Sequence, residues 1–295
     1  MGRRWFVLAV LAALGGFVAA TLRRREPRTV AGGWPVNFAH RGDSTRAPEH
    51  TLEAFRKAIE AGAGGLELDV HLTRDGHIVV IHDPSVDRTT DGTGVVAGMA
   101  LAELREVDAG HRFSYDAGRT NPYRGRGLRV PTLAEVLEAF PGVAINIDIK
   151  EIQPGEEAAV LKVLRGSGAE GRSLVVSEHH AVVRRVRGLS GGRVATGASR
   201  LEIAVFYLAS ALRLEGLLNP GYEALQVPVY YGGLTLVTRR FVEAAHARGV
   251  RVDAWTVNDP AEMHRLLDLG VDVVMTDFPE RLAGVLAERG ALTPR

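Results

Sequence analysis

The fold is decided by the six-residue run Gly65-Leu66-Glu67-Leu68-Asp69-Val70. Its two carboxylates alternate with apolar residues, so in a strand both carboxylates lie on the same face. Seven more short apolar runs recur along the chain, with amphipathic stretches between most of them: residues 36–40, 144–150, 173–177, 194–198, 224–228, 251–257 and 272–276. Eight strands joined by helices close a TIM (β/α)8 barrel, and we therefore predict this α/β fold.

The stretches between the runs carry helix-start signals. Thr132-Leu133-Ala134-Glu135 has the spacing of a capping box. Asp259 followed by Pro260 places a capping side chain before a proline at the first helical position. Thr238 precedes a third amphipathic stretch. These signals predict helices where a βα series requires them.

One turn, Thr73-Arg74-Asp75-Gly76, is too short for a parallel crossover and predicts a β-hairpin. With Thr73 nearly opposite Gly76, counting back places Asp69 opposite Val80 and Glu67 opposite His82. Opposed residues share a sheet face. This register predicts that His82 lies beside the two carboxylates.

The chain divides into three predicted segments. Residues 1–30 form an N-terminal membrane anchor with basic flanks, residues 31–35 a linker, and residues 36–290 the barrel. Residues 84–129 are rich in glycine and polar side chains. They predict a small cap inserted after the second strand, with one short helix near residues 101–107.

The anchor prediction depends on an 18-residue run without a charge, residues 5–22. Two arginines, Arg3 and Arg4, precede this run, and four arginines follow it between positions 23 and 28. A helix of about 20 apolar residues spans a bilayer. A cleaved signal peptide ending near Val18-Ala19-Ala20 and a buried core helix are the alternatives. Both flanks are basic, so the orientation of a single-pass anchor stays open.

A second apolar stretch, residues 201–218, is too interrupted by charges to span a membrane comfortably. As a helix it is apolar over much of its circumference. It is either an interfacial helix that seats the barrel mouth on a bilayer or an ordinary barrel helix packed against its neighbours.

Charge and cysteine content exclude several classes of protein. Of the 36 basic and 35 acidic residues, residues 1–30 hold six arginines and one glutamate, which leaves 30 basic and 34 acidic residues in the remaining chain. This mildly acidic body argues against nucleic-acid binding, and no protein partner is evident. The chain has no cysteine, which excludes a disulfide framework, a thiolate zinc site and a cysteine nucleophile.

Glu67 and Asp69 point into the barrel, and Asp148 repeats the pattern on the next barrel strand. Inward carboxylates repel one another unless a cation neutralises them. Because hard divalent ions prefer oxygen ligands, we predict one divalent cation, Ca²⁺ or Mg²⁺, on these three residues. The alternative is a solvated strand end or a salt bridge to Arg41 or Lys150.

Two histidines and two cations complete the predicted site. His40 and His82 are suited to act as general acid and base at neutral pH. Arg41 and Lys150 are candidate substrate-binding residues that contact phosphate oxygens, and otherwise they neutralise the carboxylates. Trp255 stands near the end of the seventh predicted strand, where it either walls the pocket or packs in the core.

The residues above resemble the glycerophosphodiester phosphodiesterase family over nearly all of positions 37–285. The motifs that carry the resemblance occur in order: His40-Arg41-Gly42, Ala47-Pro48-Glu49-His50-Thr51, Leu52-Glu53-Ala54-Phe55, Glu67-Leu68-Asp69-Val70, Thr73-Arg74-Asp75-Gly76, His82-Asp83, Pro131-Thr132-Leu133, Ile147-Asp148-Ile149-Lys150, Trp255-Thr256-Val257-Asn258 and Thr276-Asp277-Phe278-Pro279. The resemblance implies a TIM barrel with a cap, together with the metal ligands, acid–base pair and phosphate contacts already assigned. The chain departs from the family at Asp148, usually glutamate, and at His50, usually asparagine.

The implied reaction is metal-dependent hydrolysis of a glycerophosphodiester to glycerol 3-phosphate and an alcohol, with water or the glycerol 2-hydroxyl as nucleophile. A second hypothesis is lysophospholipase D-type hydrolysis of lysoglycerophospholipids at the membrane. A third, of another class, is a catalytically inactive binding barrel.

Overall fold

The computed structural model of the protein describes residues 33–34 and 36–290. Within these residues the strands are β1 Asn37–His40, β2 Gly65–Leu72, β3 Ile78–Val80, β4 Ala144–Ile149, β5 Ser173–Val176, β6 Ala195–Thr196, β7 Ala224–Pro228, β8 Tyr230–Tyr231, β9 Leu234–Thr235, β10 Arg251–Trp255 and β11 Val273–Thr276. All eight runs predicted from the sequence contain a strand.

These eight strands form a parallel barrel in the order β6-β5-β4-β2-β1-β11-β10-β7. A parallel bridge between Gly197 and Ala224 joins the two ends of the order and nearly closes the barrel. This arrangement agrees with the predicted TIM barrel. β3 adds to β2 in the antiparallel sense, and β8 pairs with β9 in a separate hairpin.

The helices among the described residues are α1 Leu52–Glu60, α2 Leu101–Glu106, α3 Leu133–Ala139, α4 Glu156–Gly166, α5 His180–Ser190, α6 Arg200–Ala211, α7 Arg239–Ala247, α8 Pro260–Asp268 and α9 Pro279–Glu288. The predicted caps start α3, α7 and α8. Thr132 accepts from the Glu135 N–H, Thr238 from that of Phe241 and Asp259 from that of Glu262. Each bond satisfies a backbone donor at a helix start.

The β2–β3 hairpin shows that the predicted register was wrong by one residue. Val70, rather than Asp69, pairs with Val80. The loop is longer than predicted because the Thr73 N–H donates to the carbonyl of His77, at 2.9 Å. A one-residue slip changes the face of every side chain that follows. His82 therefore lies beyond the end of β3 and not opposite Glu67.

Residues 84–129 lie between β3 and α3 and contain the short helix α2, as predicted. They enclose a separate apolar cluster that includes Val86, Val96 and Leu104. This insertion follows β3, so it begins at the mouth of the barrel, where the carboxyl ends of the parallel strands lie. The boundaries of the segments 1–30, 31–35 and 36–290 stay predictions.

The interior of the barrel below the mouth holds a polar network beside two buried apolar clusters. The Gln226 amide donates across the barrel to Asn146 Oδ1, at 2.7 Å, and to Asp253 Oδ2, at 3.0 Å. Asp253 is fully buried and pairs with Arg251, whose guanidinium stacks 3.8 Å from the ring centroid of Trp34. The Gln226 amide thus gives the buried Asn146 and Asp253 side chains a hydrogen-bond partner inside the barrel, as buried polar groups require.

The predicted N-terminal anchor lies outside the described residues. In the described part of the chain, no helix has the length and apolar content needed to cross a bilayer. The stretch 201–218 forms α6 and a following 3₁₀ turn, Glu215–Leu217. Phe206 of α6 is buried against Phe241, whereas Leu208 on the opposite side is 61% exposed.

Candidate active site

The carboxyl ends of β1, β2 and β4 bring most of the predicted site residues together. In the parallel register His40 pairs with Glu67, and Asp69 pairs with Asp148. Glu67 and Asp69 are buried, while His40 and Asp148 are half-buried. The site therefore has a floor of carboxylates with an accessible imidazole beside it.

One ammonium group bridges two of the carboxylates. Lys150 Nζ lies 2.8 Å from Asp69 Oδ1 and 2.7 Å from Asp148 Oδ2. Burial alone would lower the pKa of Lys150, but the charges of Asp148, Asp69 and Glu67 hold it above the usual value. The salt bridge that the sequence left open as an alternative for Asp148 is thus present.

The three carboxyl groups titrate differently because their surroundings differ. Burial, followed by the charge of Asp69, raises the pKa of Glu67 to about 8. Burial also raises the pKa of Asp148, against the opposing charge of Lys150. Burial works in the same direction on Asp69, but hydrogen bonds from His50 and Lys150 hold its pKa well below the usual range. Glu67 is therefore the carboxylate whose charge is least compensated.

Glu67, Asp69 and Asp148 have the donor chemistry of a hard-cation site, since all their ligand atoms are oxygens. The uncompensated charge of Glu67 fits an additional cation at this place. Among residues 33–34 and 36–290, however, no group of three or more histidine or acidic side chains has the arrangement of a metal site. Lys150 occupies the position between Asp69 and Asp148.

The loop after β1 is tightly constrained. Arg41 and His50 both adopt the left-handed conformation, with φ of 59°, and the His50 N–H donates to the Arg41 carbonyl at 3.1 Å. A Cβ on Gly42 would lie 2.8 Å from the backbone of Ala54, so only glycine fits there. This conformation directs the Arg41 N–H to Glu67 Oε2, at 3.0 Å.

The Arg41 guanidinium contacts carboxylates on both sides. Its Nη1 donates to Glu49 Oε1 at 3.2 Å, and its Nε lies 3.6 Å from Asp69 Oδ2. His50 Nε2 lies 2.8 Å from the same Asp69 oxygen. Burial outweighs that contact and lowers the pKa of His50. His50 is thus a buried neutral imidazole that holds the Asp69 carboxylate in place through this hydrogen bond.

His40 forms a dyad with Asp277, which follows β11. His40 Nδ1 lies 2.7 Å from Asp277 Oδ1. Burial alone would lower the pKa of His40, but the Asp277 hydrogen bond and the charge of Glu67 raise it above the usual value. Asn258 orients the dyad, since its amide donates to Asp277 Oδ2 at 2.7 Å and its Oδ1 accepts from the Asp277 N–H at 3.0 Å.

His82 forms a second dyad, with Asp83. Its Nδ1 lies 2.6 Å from Asp83 Oδ1. Arg88 links this dyad to the Arg41 loop, because it donates both to Asp83 and to Glu49. Burial alone would raise the pKa of Asp83, but the hydrogen bonds and charges of Arg88 and His82 together lower it to about 2. His82 thus joins the site through this chain of ion pairs and not by the predicted strand register.

Trp255 ends β10 and is 43% exposed. A core-packed tryptophan would be buried, so the structure places this ring on the rim of the mouth. There it can contact a substrate group that extends out of the barrel.

Asp83, Asn258 and Asp277 stand within the motifs of the family resemblance, but the sequence alone predicts no role for them. The signal for Asp277 was present, since it follows the last predicted strand. In a closed barrel that strand neighbours the first, which ends at His40. Arg88 had no comparable signal, because it lies inside the cap insertion.

A family model described as the glycerophosphoryl diester phosphodiesterase family matches residues 40–281. The chain belongs to this family. Its members are hydrolases of phosphoric diesters, and the family activity is hydrolysis of glycerophosphodiesters to glycerol 3-phosphate. The match contains both dyads and all three carboxylates.

Individual relatives cover nearly the whole chain. A glycerophosphodiester phosphodiesterase of Caldanaerobacter subterraneus subsp. tengcongensis is 36% identical over an alignment of 264 positions, which covers 86% of this chain and 98% of the relative. A human protein named lysophospholipase D GDPD1 is 25% identical over a gapped alignment of 317 positions, which covers 94% of this chain and 96% of the relative. A solved Oleispira antarctica phosphodiesterase in complex with the product sn-glycerol-3-phosphate is 29% identical, with a TM-score of 0.70 over 86% of this chain and 97% of that one.

Proposed function

We propose that this protein hydrolyses glycerophosphodiesters to glycerol 3-phosphate and an alcohol, with His40 and His82 as the acid–base pair. The observation that carries this proposal is that each of the two imidazoles is paired with a carboxylate. Each has its Nδ1 bound to a carboxylate, at 2.7 Å for His40 and 2.6 Å for His82. The Nε2 atom of each ring is therefore the nitrogen available to the substrate, as in other carboxylate–imidazole pairs.

The two histidines have different proposed roles. The raised pKa of His40 suits the group that starts protonated and donates to the leaving alcohol oxygen. His82 then accepts the proton of the nucleophile as its oxygen attacks phosphorus. The bond between phosphorus and the alcohol oxygen breaks. At the end of the step His82 has gained one proton and His40 has lost one. With water as the nucleophile, this step gives glycerol 3-phosphate and the alcohol directly. With the glycerol 2-hydroxyl as the nucleophile, it gives the alcohol and a cyclic phosphodiester, which a water opens in a second step to give glycerol 3-phosphate.

Arg41 and Lys150 are the proposed phosphate contacts. Both lie among carboxylates, at 3.2 Å from Glu49 and 2.8 Å from Asp69 respectively. A phosphodiester carries one negative charge, which these groups can stabilise as charge develops on the phosphoryl oxygens. Trp255 on the rim would pack against the alcohol moiety.

Glu67, Asp69 and Asp148 are the residues we propose to hold a divalent cation, Ca²⁺ or Mg²⁺. When bound, such an ion polarises phosphoryl oxygens and lowers the pKa of a coordinated hydroxyl. The support is the oxygen donor set and the pKa of Glu67, which burial and the charge of Asp69 raise to about 8.

The test is a coupled assay for glycerol 3-phosphate release from glycerophosphocholine, with and without EDTA. His40→Ala and His82→Ala should each lose more than about a hundredfold in rate, the lower range for one acid–base group. The matched control is His246→Ala, which removes a histidine that also pairs with an aspartate, at 2.8 Å from Asp272, but away from the mouth. It should keep its activity. Glycerol 3-phosphate release that survives both active-site substitutions would refute the assignment of His40 and His82 as the acid–base pair. Release that EDTA does not reduce would refute the proposed requirement for a divalent cation.

A second candidate is hydrolysis of lysoglycerophospholipids, as the name of the human relative suggests. The exposed Trp255 ring on the rim supports it, because an acyl chain attached to the glycerol needs apolar surface outside the barrel. Lysophosphatidylcholine in the same assay separates the two candidates by rate.

A further inference from the structure

Helix α6 presents an apolar stripe to solvent. Leu201, Val205, Leu208 and Leu212 are spaced by four, three and four residues, so they line one side of the helix. Their exposed fractions are 58%, 47%, 61% and 67%. Because the opposite side of α6 packs on the barrel through Phe206, the stripe has no role in that packing. The stripe, together with Leu214 and Leu217 of the next turn, is called the α6 face below.

The α6 face belongs to a larger apolar sector. Within residues 33–34 and 36–290, ten of the fourteen large hydrophobic side chains that are markedly exposed lie between positions 201 and 255: Leu201, Val205, Leu208, Leu212, Leu214, Leu217, Tyr230, Tyr231, Leu234 and Trp255. Nine of them follow β6 or β7 in the chain, and Trp255 is the last residue of β10. These three strands are neighbours around the barrel. Soluble proteins rarely leave this many apolar groups exposed in one sector without a binding role.

The charges of this sector indicate the partner. The exposed charged groups at the two ends of the stripe are Arg200 and Arg213. The acidic side chains of the same stretch are neutralised, since Glu202 pairs with Arg187 at 2.6 Å and Glu215 with Arg240 at 2.5 Å. Arg200 also lies 3.5 Å from Glu178. Both side chains of that pair are exposed, so the ion pair is weak and leaves the Arg200 guanidinium accessible. An aliphatic face with basic ends is typical of helices that bind anionic bilayers.

We propose that the α6 face is a peripheral membrane-binding surface for a bilayer containing anionic phospholipids. Tyr230, Tyr231 and Trp255 suit this partner, because Tyr and Trp are the side chains preferred at a membrane interface. Leu201 follows β6, Tyr230 and Tyr231 follow β7, and Trp255 is the last residue of β10. The surface therefore reaches the rim of the mouth.

The predicted N-terminal anchor agrees with a bilayer as the occupant. The charge-free run ends at residue 22, eleven residues before Gly33, the first residue described. Eleven residues span at most about 40 Å when extended. A chain anchored in this way stays within about that distance of the bilayer.

The consequence for the substrate rests on the proposed function. With the rim of the mouth at the bilayer, a phosphodiester that carries an acyl chain can reach His40 and His82 while its chain stays in apolar surroundings. The substrate class favoured at the membrane is then a lysoglycerophospholipid.

The test uses the full chain and its lack of cysteine. Leu208→Cys and, separately, Glu60→Cys are labelled with an environment-sensitive fluorophore and mixed with vesicles of phosphatidylcholine and phosphatidylglycerol. Glu60 is an exposed residue of α1, on the far side of the barrel from α6. We expect the label at position 208 to shift to the blue, brighten severalfold and be quenched by lipids with a quencher on the acyl chain. The label at position 60 should stay unchanged on the same vesicles.

Three results would overturn the proposal. The label at position 208 keeps its aqueous emission on vesicle-bound protein, both labels respond equally, or the label responds to protein concentration without vesicles, which would assign the face to a second copy of the chain. Glycerophosphocholine hydrolysis by the labelled protein is measured in parallel. A protein that hydrolyses this diester but shows no shift refutes only the membrane surface, whereas a shift without hydrolysis refutes only the proposed function.

The substrate consequence has its own variant. Leu208→Gln with Leu212→Gln replaces two exposed side chains that take no part in the core, so the fold should be kept. We expect hydrolysis of lysophosphatidylcholine in vesicles to fall by about tenfold or more, since burying one leucine is worth about a tenfold change or more in partition. Hydrolysis of glycerophosphocholine should not change, and an equal loss on both substrates would contradict the inference.

Discussion

Asp277→Asn tests the part of the mechanism that the structure defines best. The Asp277 carboxylate contacts His40 Nδ1 on one oxygen and the Asn258 amide on the other, each at 2.7 Å. An asparagine at position 277 has one acceptor oxygen and one amide donor. If the oxygen stays with the Asn258 donor, the new amide faces His40 Nδ1 and forces that nitrogen to accept. His40 is then neutral, with its proton on Nε2, and cannot act as the cationic acid.

The expected loss follows from the hydrogen bond. A hydrogen bond to a charged group contributes about 1.5–3 kcal/mol. If that contribution is present in the transition state, kcat/KM falls by roughly 10- to 150-fold, since each 1.36 kcal/mol is a factor of ten. The direction of the pH effect is also fixed. Asp277 raises the pKa of His40, so its neutralisation lowers that pKa, and the alkaline limb of the kcat/KM profile moves to lower pH.

The assay is glycerol 3-phosphate release from glycerophosphocholine, measured from acidic to alkaline pH for the wild type and the variant. Asp272→Asn is the matched control, because Asp272 also pairs with a histidine, His246, at 2.8 Å. That pair joins the start of β11 to α7, at the opposite end of the barrel from the mouth. A rate within threefold of wild type for Asp277→Asn, with an unmoved alkaline limb, would show that the dyad does not set the proton state of His40.

Three more predictions concern charge at and near the site. Lys150→Met removes the ammonium group that bridges Asp69 and Asp148, so kcat/KM should fall by about a hundredfold or more, while an unchanged KM would argue against a phosphate contact. Asp148→Glu extends the carboxylate by about 1.5 Å. It should tighten divalent-cation binding in titration calorimetry, and equal or weaker binding would count against Asp148 as a ligand. Burial, with Glu151 and Glu157, raises the pKa of Glu156 to about 8, so the folded state binds more protons there than the unfolded state and stability declines from about pH 4.5 to about pH 8. Glu156→Gln should reduce that decline and stabilise the protein by about 1 kcal/mol at pH 8, and thermal unfolding curves parallel to wild type at all pH values would contradict this.

Local signals were enough to predict the barrel. Each of the eight barrel strands is a short, largely buried run, and the capping residues Thr132, Thr238 and Asp259 mark where helices begin. The carboxylates Glu67 and Asp69 were predictable as neighbours because period-two alternation requires no tertiary information. Asp148 joined them because its run follows as the next barrel strand.

Two parts of the site were beyond such signals. The position of His82 depended on the length of one loop, and a loop of five residues instead of four displaces every later residue by one register step. The His40–Asp277 dyad joins residues 237 positions apart. Only closure of the barrel makes them neighbours, so reading either motif alone gives no indication of their contact.

The left-handed backbone at Arg41 and His50 has a consequence for engineering this protein. A non-glycine residue in that conformation costs roughly 1–2 kcal/mol, and two such residues joined by a hydrogen bond stand at the edge of the site. Selection for heat resistance alone would therefore favour glycine or asparagine at both positions. At position 41 that change would remove the guanidinium that faces Glu49 and Asp69. A thermostable variant obtained this way would stay folded longer at high temperature but would have a lower kcat. Stabilising changes are better sought on the far side of the barrel, where backbone conformation and catalysis are not tied to the same residue.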